Sequence, residues 1–295
     1  QRLRDQTGAD HMAAAFDLHA PTFRHKLYDQ YKAGRKPMPE ELRQQMPIIK
    51  KILTLLGCTV VETEGYEADD ILGTLSAATT DAGGECFIAT GDRDALQLVG
   101  DQVTVLLAAT KMGRPETTVF DRAAIEEKYG LQPEQLIDLK ALMGDTADNI
   151  PGLPGVGEKT ATKILLQYGT LENAHAHFEE IKPNKAKEAM RDHYDLAELS
   201  KKLATIDTDA PVELDREKAA LSNFYTPKAY EMFKRLEFKN LLGRFEETNA
   251  EPEDAVFLRT VTDFSEAEEL FGTIAKEEKA GAALLTEETP KDGQV

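Results

Sequence analysis

Tryptophan is absent from this 295-residue chain, and cysteine occurs only twice. Cys58 and Cys86 cannot build a disulfide framework or, by themselves, a zinc knuckle, and both sit in apolar stretches where buried free thiols are common. A reducing, cytoplasmic compartment is expected. No apolar run approaches the roughly 18 residues that a membrane-spanning helix needs, so no membrane partner is expected. The opening residues, QRLRDQTGAD, lack the basic and apolar regions of a secretory signal and do not begin with Met, so the chain reads as a fragment. Positive charge is also scarce: 35 Lys and Arg stand against 53 Asp and Glu, a net −18. Such an excess argues at first against a nucleic-acid partner, because phosphate contacts need cations.

Where the charge lies changes that conclusion. Residues 246–295 hold 14 acids and 4 bases, which leaves a net −8 on residues 1–245. The remaining composition, 41% hydrophobic and 30% charged, is ordinary for a globular protein and excludes a wholly disordered or collagen-like chain. Residues 12–18, MAAAFDL, read as a short buried strand ending in Asp17. In residues 22–36, TFRHKLYDQYKAGRK, Arg24, Lys26, Lys32, Arg35 and Lys36 face a single acid, Asp29, with Phe23, Tyr28 and Tyr31 interleaved. An amphipathic helix is predicted from Pro39 to Gly57, then a strand at 58–62, a helix at 67–79, a strand at 85–90, a short helix at 94–99 and a strand at 102–108. After Phe120 helical patterns take over, at 123–130, 134–144, 158–169 and 226–238.

This alternation predicts an α/β fold, a mostly parallel sheet flanked by helices, over residues 1–120, followed by a helical subdomain over 121–245. Residues 246–255 have the composition of an acidic linker, and 256–295 carry a small αβ pattern too short for a complete domain. Ligands of such sheets collect at the carboxyl ends of the strands. Asp17, Asp92 and Asp94 stand there. Glu67, Asp69 and Asp70 open the helix EADDILGTL, and Asp145 and Asp148 lie in MGDTADNIPG. One or two acids at a helix start would merely favour the macrodipole; three in four positions, beside further Asp pairs, point to metal binding. Removing these eight candidate ligands brings residues 1–245 to neutrality, so the rest of that region can hold a basic surface.

Crowding so many carboxylates costs several kcal/mol unless cations neutralise them. Oxygen-only ligands favour magnesium or manganese over zinc, and no D-x-[DN]-x-[DN]-G loop is present to build a calcium cage. Two such ions roughly 3.5–4 Å apart can activate water and stabilise the departing oxygen of a phosphodiester. Hydrolysis of nucleic acid is therefore the expected chemistry. A second signal is NIPGLPGVGEKTATKIL, where Gly152, Gly155 and Gly157 make a tight turn and Lys159, Thr160 and Lys163 open the next helix. A P-loop would need Gly-Lys in succession after a strand, and Glu158 separates Gly157 from Lys159. A hairpin between helices that grips a duplex backbone without reading bases fits better. His175 and His177 have no third ligand near them in sequence and read as surface histidines, and Phe233, Leu236, Phe238 and Leu242 read as core.

Taken together, GYEADDILGTL, GDRDALQL, LKALMGDTADNIPGLPGVGEKTA and APTFRHKLYDQYKAGRKPMPEEL resemble the 5′ nuclease domains of bacterial DNA polymerase I, of the flap endonuclease class, over about Ala13 to Phe245. The resemblance implies a PIN-like 5′ nuclease fold in which Asp17, Glu67, Asp69, Asp70, Asp92, Asp94, Asp145 and Asp148 hold two magnesium ions. It also implies a helix-three-turn-helix, a helix-hairpin-helix type of element, gripping duplex DNA, with a potassium ion on the hairpin carbonyls. Tyr31, Lys32 and Arg35 match the YKxxR of the family's helical arch, where the basic groups approach the scissile phosphate and the aromatic supports a frayed base. Arg24 belongs to the same basic face. The implied activity is 5′-3′ exonuclease and flap cleavage in primer removal, replication and repair, by a monomer acting in the bacterial cytoplasm and nucleoid on DNA with 5′ flaps or nicked and branched duplex.

Members of that family begin further upstream, with a strand ending in another metal-binding Asp. The resemblance thus implies an amino-terminal truncation, an unpaired inner strand edge and one ligand outside this chain. Its consequence would be a catalytically silent duplex-binding module, the alternative to an active enzyme; a ribonuclease of the related acidic-site fold is a further rival. Residues 256–295 resemble the start of a 3′ exonuclease-like domain, with Leu285 where the Asp of its Asp-Thr-Glu site would stand before Thr286 and Glu287. A polymerase domain in the parent chain is implied as well.

Overall fold

Alternating strands and helices build the first part of the chain, and helices the rest. The computed structural model describes residues 2–111, 113–221 and 225–248. In chain order, α1 (Arg2–Thr7) leads into β1 (Ala13–Ala15), α2 (Phe23–Leu27), α3 (Glu40–Leu55), β2 (Thr59–Val61), α4 (Ala68–Asp81) and β3 (Cys86–Thr90). A 3₁₀ turn (Asp94–Leu98), β4 (Val103–Lys111) and β5 (Arg114–Phe120) follow. Then come α5 (Arg122–Tyr129), α6 (Gln135–Met143), α7 (Glu158–Tyr168), α8 (Leu171–Ala176), α9 (Asn184–Asp192), α10 (Tyr194–Ala204), α11 (Arg216–Ala219), α12 (Pro227–Arg235) and α13 (Lys239–Thr248). The chain divides into two units after Phe245. From residue 249 on, the second unit, with most of the expected linker, the 256–295 pattern and residues Leu285, Thr286 and Glu287, lies outside the described residues.

β1 pairs with β2 in parallel, Ala13 opposite Thr59, and β3 pairs with β4 in parallel, Cys86 opposite Val103. β5 returns antiparallel to β4, with Val105 opposite Phe120. Among the described residues β1 and β3 each have one strand neighbour, so the strands form two sheets, and α4 packs on both β1 and β3. The β5 strand was not expected from its residues. Its sequence, RPETTVF, is polar and contains Pro115, because an edge strand needs neither a continuous apolar run nor a full ladder of donors. β4 is covered on both faces: Val103, Val105 and Leu107 are buried on one and Leu106 on the other. Ile88, Leu96, Val99, Phe120 and Ile125 complete that core.

Helix α3 keeps the predicted span nearly intact despite Pro47, yet none of its residues is buried, and Leu42 and Ile49 are about half exposed. The helical part has its own core, including Leu139, Leu142, Leu153, Val156, Ile164, Leu165, Leu171 and Met190. Between α6 and α7 the loop closes on itself, with Asp145 and Ile150 exchanging backbone hydrogen bonds of 2.9 and 2.8 Å. Gly144 and Gly152, at φ +73° and +62°, cross there so tightly that a Cβ on Gly152 would lie 2.3 Å from the Gly144 nitrogen. Gly152→Ala should therefore cost at least about 2 kcal/mol from strain and overlap together. A urea-unfolding midpoint close to that of the parent chain would show that the loop relaxes instead.

Candidate active site

The ends of β1 and β3 and the start of α4 bring the acids of the amino-terminal half together, and the α6–α7 loop adds two more. Asp17 follows β1 and its Oδ1 accepts the Ala68 N–H at 2.7 Å, so it also anchors the first turn of α4. Asp92 and Asp94 follow β3, and Asp92 Oδ1 accepts the Asp94 N–H at 3.0 Å. Between these groups sits Asp69. Burial, then Asp92, Asp94, Asp17 and Glu67, push its carboxyl up to about 7. Burial likewise raises Asp94, against the pull of Lys140.

The other acids are held by cations. Glu67 accepts from Lys32 Nζ at 2.8 Å and from the Tyr31 hydroxyl at 3.1 Å. Asp148 pairs with Arg35 and lies 3.8 Å from Lys32 Nζ. Lys140 donates to Asp94 and, at 2.7 Å, to Asp145. Burial opposes the charge of Lys140, but Asp94 and Asp145 outweigh it and hold the ammonium above the ordinary lysine value. Lys140 in turn brings Asp145 below the usual carboxylate range despite its partial burial. Among the described residues no ion pair forms to Asp17, Asp69 or Asp92, and no three acidic, His or Cys side chains close into an ion-binding cage. The donor set, all carboxylate oxygen around a partly buried and destabilised Asp69, fits a hard divalent cation in its chemistry; closing a cage requires side-chain movement.

On the helical side, Gly157 caps α7 and accepts the Thr160 N–H at 2.9 Å, leaving Lys159 and Lys163 exposed one turn apart. Gly155 is exposed at φ +75°, and the Lys185 side chain from α9 lies against it.

Similarity follows the same layout. A family model described as the 5′-3′ exonuclease N-terminal resolvase-like domain matches residues 1–130, and one described as the 5′-3′ exonuclease C-terminal SAM fold matches residues 131–226. Residues 1–226 belong to the 5′-3′ exonuclease family. DNA polymerase I of Bacillus caldotenax is 46% identical over 243 residues, 82% of this chain and 28% of that protein. DNA polymerase I of Bacillus subtilis (strain 168) is 43% identical over 258 residues, 86% of this chain and 29% of that protein. The chain thus spans less than a third of the length of these relatives. Among solved structures, the phage T5 5′-exonuclease with divalent metal ions (zinc) bound has a TM-score of 0.60 at 19% identity, covering 84% of this chain and 86% of that one. This likeness establishes the fold, a resolvase-like PIN domain with a SAM-like helical part.

Within this 5′-3′ exonuclease fold, four expected site residues do other work. Asp70 is fully buried, its oxygens taken by Arg24 at 2.7 Å twice, by the Glu67 N–H at 2.9 Å and by the Asp207 N–H at 2.8 Å. No lone pair of this carboxylate is left for an ion. Arg24, also buried, spends its remaining N–H groups on the Leu203 and Thr205 carbonyls, so it does not reach DNA. Tyr31 is 4% exposed, packed with Ile150, Leu203 and Ala204, and cannot stack on a frayed base. Burial, then Glu67, raises its phenol. Gly152 is buried, with its N–H on Ser200 Oγ at 2.9 Å, and serves packing rather than phosphate contact. Lys140, Lys185 and Ser200 went unseen in the sequence; only the position of Lys140, five before Asp145 on a helix ending at Gly144, hinted that it faces the acids.

Asp69 gives a pH signature. Its folded carboxyl binds a proton more tightly than the unfolded one, so stability falls as pH rises from the ordinary carboxylate value of 3.8 to about 7. Without added divalent cation, Asp69 should cost the chain on the order of 4 kcal/mol across that window, and Asp69→Asn should remove that contribution from the profile. Parallel pH profiles of the two proteins in urea titrations would contradict this.

Proposed function

We propose that residues 1–245 act as a magnesium-dependent, structure-specific 5′ nuclease on DNA, a 5′-3′ exonuclease and flap endonuclease suited to primer removal in replication and repair. The observation that carries the reading is the gathering of Asp17, Asp69 and Asp92 without cation partners, next to Glu67, which Lys32 holds, while Arg35 holds Asp148. The family membership and the relatives named DNA polymerase I support it, as does a phage T5 flap endonuclease structure described as a pseudo-enzyme-product complex with DNA and metal ions, TM-score 0.58. Bound divalent ions would supply a nucleophilic water and neutralise charge on the phosphodiester.

The protein's own groups do the rest. Asp17, Asp69 and Asp92, with Asp94, Asp145, Asp148 and Glu67, hold the ions; oxygen-only donors favour Mg²⁺, with Mn²⁺ as substitute. Lys32 and Arg35 stabilise charge developing on the phosphoryl oxygens. Gly155, Gly157, Thr160, Lys159 and Lys163 grip the duplex backbone away from the cut, and hairpin carbonyls hold a potassium ion. On this reading residues 1–120 form the nuclease core, 121–245 the DNA-binding part, and 256–295 open a 3′-5′ exonuclease-like domain of a longer polymerase. The enzyme works as a monomer in the cytoplasm, at the nucleoid. No helix among the described residues is long and apolar enough to cross a membrane. No observation favours the catalytically silent module.

The chain should cleave a 5′-flap duplex in Mg²⁺, with Asp92→Asn at least about a hundredfold slower. Lys32→Ala should slow cleavage about a hundredfold while leaving flap affinity within about threefold. Undiminished cleavage by the Asn variant, or cleavage in EDTA, would refute the reading. Lys159→Ala should lower the salt dependence of duplex binding by about one phosphate contact; an unchanged slope would remove Lys159 from the grip.

A further inference from the structure

The acids divide into one set without cation partners, Asp17, Asp69 and Asp92, and another held by built-in cations. Lys140 donates to both of its carboxylate partners, whereas Lys32, equally enclosed, lies 3.8 Å from its second. The Lys140 side chain is 20% exposed and spans Asp94, which opens the 3₁₀ turn after β3, and Asp145, which follows α6. An ammonium between two carboxylates does with one charge what a divalent ion would do with two. Any ion using Asp94 and Asp145 must first displace it, whereas an ion on Asp17, Asp69 and Asp92 meets no such competitor.

We infer that Lys140 is a positioning residue whose ammonium competes internally for the Asp94–Asp145 ion position, making the two ions of the proposed nuclease site unequal and the second one weak until DNA arrives. The last step follows from charge. Once displaced, the ammonium stays tethered to α6 without the carboxylates that had neutralised it, and a phosphate supplies the missing partner. By reciprocity, DNA then tightens the second ion as much as the second ion tightens DNA. The inference rests on the two-ion reading of the site.

Mn²⁺ titration followed by electron paramagnetic resonance, on the full chain without DNA, tests it apart from activity. The parent protein should bind one ion tightly and a second at least about tenfold more weakly. Lys140→Met should tighten the second ion about tenfold and leave the first unchanged, while Lys140→Arg, which keeps the charge, should leave the second ion weak. Should the Met variant fail to fold by circular dichroism, Lys140→Gln takes its place. Two ions in the parent with affinities unmoved by Lys140→Met, a single ion in both proteins, or equal tightening by Lys140→Arg would overturn the role of Lys140 alone. No ion bound by the parent would overturn the proposed function along with it.

Discussion

Carboxylates packed at the ends of strands repel one another, and much of this structure is arranged around that repulsion. Burial makes it worse, as the raised carboxyl of Asp69 shows. The fold answers with cations drawn from two places in sequence: Lys32 and Arg35 from the segment after α2, and Lys140 from α6. Each cation reaches an acid on a different element. The same contacts that lower the electrostatic energy therefore tie the helical part to the strand ends. Three acids are left without such relief: Asp17 after β1, Asp92 after β3 and Asp69 in the first turn of α4.

Arg24 and Asp70 solve a different problem with the same kind of pair. Both are buried, and every strong hydrogen-bonding atom is used: Arg24 on Asp70 and two carbonyls near the end of α10, Asp70 also on the Glu67 and Asp207 N–H groups. Removing one partner alone would strand a buried charge at a cost of about 3–5 kcal/mol. The pair joins α2, the first turn of α4 and residues 203–207, and so sets how the acid-bearing helix start meets the helical part. Acidic residues adjacent in sequence thus have opposite fates: Asp69 is aimed at the crevice and Asp70 into the interior.

That split explains what the sequence could and could not reveal. Strand ends and helix starts announced the acids, because apolar periodicity fixes the faces of α4 and the ends of β1 and β3. The same periodicity located most of the α/β elements, while β5 escaped because an exposed edge strand carries no apolar signature. Composition could not tell a basic side chain over the site from one beneath it. Lys32 and Arg24 look alike in TFRHKLYDQYKAGRK, but partners 46 and 179 residues distant bury one of them. The hairpin glycines show the same limit: Gly155 faces solvent, whereas Gly152 lies against Gly144, a contact that only the closed loop creates.

Lys32 shows how closely the two halves depend on each other. Its φ of +56° is a left-handed conformation that a lysine adopts only at a cost of about 1–3 kcal/mol. Its own N–H donates to the Asp148 carbonyl at 2.9 Å, and the neighbouring Asn149, also at positive φ, donates from its side chain to the Gln30 carbonyl at 2.7 Å. The strained turn is therefore held by the loop that supplies Asp145 and Asp148, not by its own residues. A shift of that loop would carry the Lys32 ammonium with it, so the groups proposed to meet the phosphate and the acids proposed to hold the ions move as one unit. Side chains that must act within an ångström of each other are thereby positioned by a single set of backbone contacts, whichever half of the chain they come from.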